Sequence, residues 1–188
     1  MGSKIHILLG IWLLQALVVP PIQADGEKKK LKIVLDKLEK IIDAEHLVKT
    51  DLRFEKAEGD DEVKVNGVVE QLVDFDDNYK VTFDISHSEE QDGEYKTVMK
   101  TPEKGVCEVM QSHYKKFFYD SLKEHCNAPD PDVCPVTKEK YEIMDYPIDS
   151  SKFQNYLRPG FYHVVATVIH NEEEVLQYRV ESHTEEES

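Results

Sequence analysis

Glycine, cysteine and positive charge are all scarce in this chain, and each scarcity removes a class of function. Eight glycines are spread over 188 residues without clustering, so no phosphate-cradling loop can be drawn. Lys and Arg number 23 against 38 Asp and Glu, a formal charge of −15. A surface that acidic repels phosphate backbones and anionic headgroups, which argues against nucleic acid and against electrostatic membrane docking. Cysteine is limited to Cys107, Cys126 and Cys134. No Cys-x-x-Cys or paired-His motif accompanies them, so neither a metal nor a cofactor is expected. Gly-x-Ser-x-Gly and His-Glu-x-x-His are absent, and His113, His125, His163 and His170 are scattered. The acidic pairs Asp60/Asp61 and Asp76/Asp77 lack the spaced oxygens of a calcium loop and read as turns. No Asn-x-Ser/Thr sequon occurs. A non-enzymatic protein is expected.

Long apolar runs are also scarce, with one exception. Lys4 precedes the apolar run Ile5 to Val19, which Pro20-Pro21 ends, and Ala24 offers a small residue before Asp25. That is the layout of a secretory signal over residues 1–24. The run is too short for a membrane anchor, which needs about 20 apolar residues, so no integral membrane segment is expected. The remaining 164 residues suffice for one domain with a core of its own, carrying a charge of about −16. In an oxidising compartment three cysteines give one disulfide and one leftover thiol, and the residues alone allow all three pairings.

Along the mature chain, Leu31, Val34, Leu35, Leu38, Ile41 and Ile42 recur at helical spacing within residues 28–42. β-Branched residues there would also fit a strand with a bulge; periodicity alone predicts a helix. Asp51 to Lys56 alternates, with Leu52 and Phe54 on one face. In Glu62 to Val73, Gly67 marks a bulge or a close backbone approach. After the turn Asp76-Asp77-Asn78, residues 79–85 alternate strictly, with Tyr79, Val81, Phe83 and Ile85 facing one way. Gln91-Asp92-Gly93 turns the chain back through Tyr95 to Met99, a meander of hairpins. From Pro102 to His125 apolar residues recur at three and four, which predicts a helix with Thr101 as its N-cap. Asn127 to Pro135 holds three prolines and reads as a loop. Strands are expected over Tyr141 to Met144, over Phe161 to Ile169 (apolar on both faces, hence central) and over Val175 to Glu181. Residues 183–188 read as an acidic disordered tail. The pattern predicts an all-β sandwich or cup with one inserted helix, about residues 102–125.

Several segments carry a resemblance: Val65-Asn66-Gly67, Asp76-Asp77-Asn78-Tyr79, Gly105-Val106-Cys107, Val133-Cys134-Pro135, Tyr141-Glu142-Ile143, Asp145-Tyr146-Pro147 and Leu157-Arg158-Pro159-Gly160-Phe161-Tyr162. In this order they resemble a family of secreted arthropod proteins that is itself similar to the ML (myeloid differentiation factor two-related) lipid-recognition and ganglioside-activator group. The resemblance covers nearly all of residues 30–182, within a domain drawn at 25–182. It implies an immunoglobulin-like β-sandwich opened as a lipid-binding cup, with Lys32 to Ile42 as its first strand. It implies that Cys107 pairs with Cys134, leaving Cys126 as the free thiol outside the family pattern. The further disulfides of the ganglioside activator are missing.

An apolar volume between splayed sheets is a typical ligand site. Candidate liners are Val81, Phe83, Ile85, Phe117, Phe118, Leu122, Val164, Ala166 and Val168. The function this implies is a secreted binding protein that carries or presents a lipid or other apolar small molecule. Chemosensation and innate immunity are the settings the resemblance permits, with a cell-surface receptor as a further partner. The alternative is an extracellular protein-interaction module with a filled core, acting through its acidic surface.

Overall fold

The structure is a computed structural model that describes residues 29–56, 58–59 and 62–187. The expected signal and its cleavage site, and the pair Asp60/Asp61, lie outside the described residues. Among the described residues no helix is long and apolar enough to cross a membrane.

The first strand, β1 (Leu31–Asp43), pairs antiparallel with the last, β9 (Glu173–Glu186). Their register slips at Asp36 and again at Ile41, each slip a bulge that inserts one residue. The face carrying Leu31, Ile33 and Leu35 therefore resumes at Leu38 and Lys40, and then at Asp43. A regular strand repeats every two residues, but two insertions stretch some intervals to three. This is why β1 carries helical spacing without being a helix. The helix that periodicity predicts over residues 28–42 is thus corrected to the strand implied by the resemblance.

The chain turns after β1 into β2 (Val48–Glu55), which pairs with β3 (Lys64–Gln71). β4 (Tyr79–Ser88) and β5 (Lys96–Lys100) form the expected hairpin, and the short β6 (Lys104–Gly105) returns to pair with β4. Helix α1 occupies residues 106–122 and is wound as a π-helix through Met110–Tyr119. β7 (Lys140–Tyr146) then joins β3, and the hairpin β8 (Phe161–His170) and β9 ends the fold. One sheet has the order β1-β9-β8-β4-β5, and β8 is central in it, as its apolar faces predict. The other has the order β2-β3-β7. Over the described residues the protein is an all-β, two-sheet sandwich with one helix.

Two boundaries differ from expectation, each because a distant group intervenes. Thr101 does not cap the helix: its hydroxyl accepts from the Phe83 amide at 2.8 Å, and its own amide donates to the Phe83 carbonyl at 2.9 Å. The chain stays strand-like through Lys104 and Gly105, and α1 begins where Asp77 Oδ1 accepts from the Cys107 amide at 3.0 Å. A Cβ on Gly105 would lie 1.9 Å from that oxygen, so only glycine admits it. The acidic end is no disordered tail through residues 183–186, which continue β9 against Leu31–Val34. Lys29 and Lys32 meet Glu186 and Glu185 at 2.7 and 2.9 Å, so opposite charge across the strands offsets like charge along one. Gly67, with φ +134°, lies at a register slip between β3 and β7. A Cβ there would be 1.9 Å from the Asp51 carbonyl, so bulge and close approach coincide.

Cys107 and Cys134 form the disulfide, with Cα atoms 5.8 Å apart, and Cys126 is free. The outer edge of β1 is covered by a 3₁₀ turn, Ser150–Phe153. Ile33 donates its amide to Ser150 Oγ at 2.8 Å. The Gln154 side-chain amide accepts from the Leu31 amide at 3.1 Å and donates to the Leu31 carbonyl, standing in for a paired strand.

Candidate functional site

Strand register decides which side chains face each other across the sandwich. In the larger sheet, Val81 lies opposite Val168, Phe83 opposite Ala166 and Ile85 opposite Val164. β9 continues these rows with Leu176, Tyr178 and Val180, and β1 ends them with Asp43, Lys40 and Leu38. Tyr79 and Val81 pack in the core cluster, which identifies this face as the inner one. In the smaller sheet, buried Val48 shares its face with Thr50, Leu52 and Phe54. Their partners on β3 are Gln71, Val69, Gly67 and Val65. Beyond them on β7 lie Tyr141, Ile143 and Tyr146.

The two ends of this space are closed, and by different means. At one end Val48, Phe75, Tyr79, Val106 and Val136 form the buried core cluster, Val48 being only 1% exposed. Phe75, Tyr79 and His170 stack in series at 4.2 and 4.1 Å. Gln71 donates to the carbonyls of Val73 and Val136 at 2.8 and 2.7 Å, and the disulfide lies beside them. At the other end Leu31, Leu35, Tyr146 and Ser182 are buried, next to the turn held by Ser150 and Gln154.

Between the ends the picture changes. Phe83, Ile85, Val164, Ala166, Val180 and Leu38 on one sheet, and Leu52, Phe54, Val65 and Ile143 on the other, are all only half-buried. In a filled sandwich the central inner-face side chains are the most buried of all.

The nine candidate liners fall into two groups. The six on strands, Val81, Phe83, Ile85, Val164, Ala166 and Val168, form three cross-strand pairs on one inner face. Phe117 and Phe118 are on α1 and pack on Phe153 of the β1-edge turn, with ring centroids at 5.2 and 5.8 Å. Tyr156 meets Phe117 edge-on at 6.2 Å. Leu122 ends the helix, half-buried. None of the nine candidate liners lies on the smaller sheet, although the alternation of Leu52 and Phe54 marks them as one face.

Residues 81–164 match the model of a family described as a protein of unknown function (DUF1091). The matched stretch runs from β4 through the helix, the disulfide and β7 into β8. It thus includes all nine liners except Ala166 and Val168. No curated protein matches the chain.

One polar group of residues reaches the half-buried rows. The bulge at Ile41 brings Lys40 and Asp43 to the same inner face, opposite Tyr178 and Leu176. Lys40 Nζ pairs with Asp43 Oδ2 and donates to the Thr50 carbonyl at 3.1 Å. Hydrogen bonding to Asp43 holds the Lys40 ammonium above its ordinary pKa. Tyr178 and Thr50 share a hydroxyl–hydroxyl bond, and burial pushes the Tyr178 phenol up. Asp43 Oδ1 is buried and has no hydrogen-bond partner.

Two surface clefts lie elsewhere. One, of about 440 Å³, surrounds the free Cys126 with His125, Lys140 and Met144; burial raises the Cys126 thiol above its ordinary pKa. The other, of about 510 Å³, lies over the disulfide with Asp76 and Asp77. Neither is lined by any of the nine candidates.

Proposed function

We propose that this protein is a secreted, non-enzymatic carrier that holds an apolar small molecule between its two sheets. The observation that carries the reading is the half-buried state of the central rows between two sealed ends. Its physical reason is a shortfall of cover. The larger sheet has strands of 13, 14 and 10 residues, whereas the smaller has three strands of 8, 8 and 7. Phe83, Ile85 and Val164 therefore keep apolar surface that a ligand would remove from water, at about 25 cal/mol per Å². The resemblance to the ML lipid-recognition group supports the same reading, since that architecture opens a sandwich into a cup.

Secretion is part of the proposal. A disulfide is stable in oxidising compartments, and residues 1–24 have the layout of an export signal. The sequence of a carrier of this kind would start close to Asp25 once exported.

The test is direct. Protein purified from the medium of secreting cells is extracted with organic solvent, and the extract is examined by mass spectrometry. A near-stoichiometric apolar molecule is expected. A clean extract, together with failure to bind an uncharged fluorescent apolar dye, would leave the interaction-module reading in its place.

A further inference from the structure

The chemistry of the inter-sheet walls narrows the ligand, an inference that rests on the carrier reading above. We infer that the bound molecule is uncharged and carries a hydroxyl group, which donates its hydrogen bond to Asp43 Oδ1.

Charge comes first. Most inner-face positions of both sheets carry apolar, hydroxyl, amide or imidazole side chains; the charged ones are Lys40 and Asp43 of β1, Lys104 of β6, which pairs with Glu108, and the strand-end positions Lys96, Glu173 and Glu186. Lys40 is committed on two sides, to Asp43 Oδ2 and to the Thr50 carbonyl. A ligand carboxylate brought to this wall would have to displace Asp43 from its own cation and then lie beside it. A charge buried without a partner is far costlier than a neutral group that finds one. The formal charge of −15 adds a repulsive field for anions.

Polarity comes second. Lys40 donates to Asp43 Oδ2 and to the Thr50 carbonyl, and the Thr50 and Tyr178 hydroxyls bond each other, so the buried atom of this group left without a partner is Asp43 Oδ1. The Asp43 side chain is 14% exposed. Its place opposite Leu176 is the boundary between the sealed end and the half-buried rows. A buried acceptor left unpaired is a standing cost that any donor arriving with the ligand removes. An alcohol supplies that donor, whereas an ester or a carboxylate supplies only further acceptors. Discrimination follows because a site built to take a donor penalises a ligand that lacks one.

The experiment uses the full mature protein and displacement of an uncharged naphthylamine dye by cetyl alcohol, methyl palmitate and palmitate at mildly alkaline pH. Cetyl alcohol is expected to displace the dye at roughly tenfold lower concentration than either competitor. In Asp43→Asn the isosteric amide offers a donor as well as an acceptor, and the alcohol's advantage is expected to shrink to about twofold. Palmitate competing as well as the alcohol in the wild-type protein would overturn the inference, and this comparison needs no variant. So would an unchanged alcohol preference in Asp43→Asn. Dye binding with the wrong order of competitors overturns only the ligand class. No dye binding at all removes the carrier reading and the inference together.

Discussion

At the Tyr79 end of β4 the inner face is sealed, while four residues further along the same strand Phe83 is only half-buried. The strand, its neighbour β8 and the alternation are the same at both places. What differs is the source of cover. Phe75, Val106 and Val136, which seal the Tyr79 end, come from loops and from the helix start, outside both main sheets. The middle rows face the sheet of β2, β3 and β7, and at the centre of β3 the inner-face position is Gly67, which has no side chain to contribute. In this sandwich, closure is the work of the connections, and openness is what two unequal sheets leave when connections do not reach.

The comparison is most exposed to failure at its sealed end. Phe75→Ala should cost about 4 kcal/mol, the usual loss for a large aromatic in a filled core, read as a lower urea midpoint. A loss no greater than that of Phe83→Ala would erase the contrast. Next comes the disulfide, which joins residues 27 apart at the same end. The chain-entropy account gives about 3.5 kcal/mol for a loop of that length. Cys107→Ser with Cys134→Ser should lower the midpoint accordingly, while leaving dye binding by any surviving folded protein in place. The middle is tested by Phe83→Ala, with an expected cost of only about 1–2 kcal/mol because much of its surface is already accessible. Its dye affinity should change by more than its stability does. A cost of about 4 kcal/mol with unchanged affinity would show the middle to be as filled as the end.

The smallest effect concerns alkaline pH and touches both regions. Burial raises the phenols of Tyr79 at the sealed end and of Tyr114, Tyr146 and Tyr178 elsewhere above the ordinary value of 10.0. The unfolded chain then ionises first. The stability contributed by these neutral phenols is full below pH 10 and is lost as pH rises through the raised folded values. Urea midpoints should hold up to pH 10 and fall above it, and a midpoint that rises there would reverse the sign.

Elements whose pattern is local were legible in the sequence. The alternation of Tyr79 to Ile85, the two apolar faces of β8 and the proline-rich loop before β7 each carry their own signal. Elements set by a distant partner were not. Asp77, 30 residues upstream, fixes where α1 begins. Lys29 and Lys32 keep the acidic end of β9 in the sheet, although its own charge reads as a tail. Val81, Phe83 and Ile85 share a face as their alternation predicts, but their partners Val168, Ala166 and Val164, and the facing residues Leu52, Val65 and Ile143, follow only from how the strands pair. Asp43 was hidden for a further reason. Its face depends on the bulge at Ile41, and a bulge has no composition of its own.

That bulge and its companion at Asp36 bear on how such a strand changes over generations. A chain lacking Ile41 would keep Lys40 opposite Tyr178 and Asp43 opposite Leu176, since the register already skips that residue. The same holds for Asp36 between Leu35 and Lys37. β1 therefore has two slots where a codon can be lost or gained without turning the strand inside out. At the other positions of its 13 residues a single deletion would send every side chain on one side of it to the opposite face.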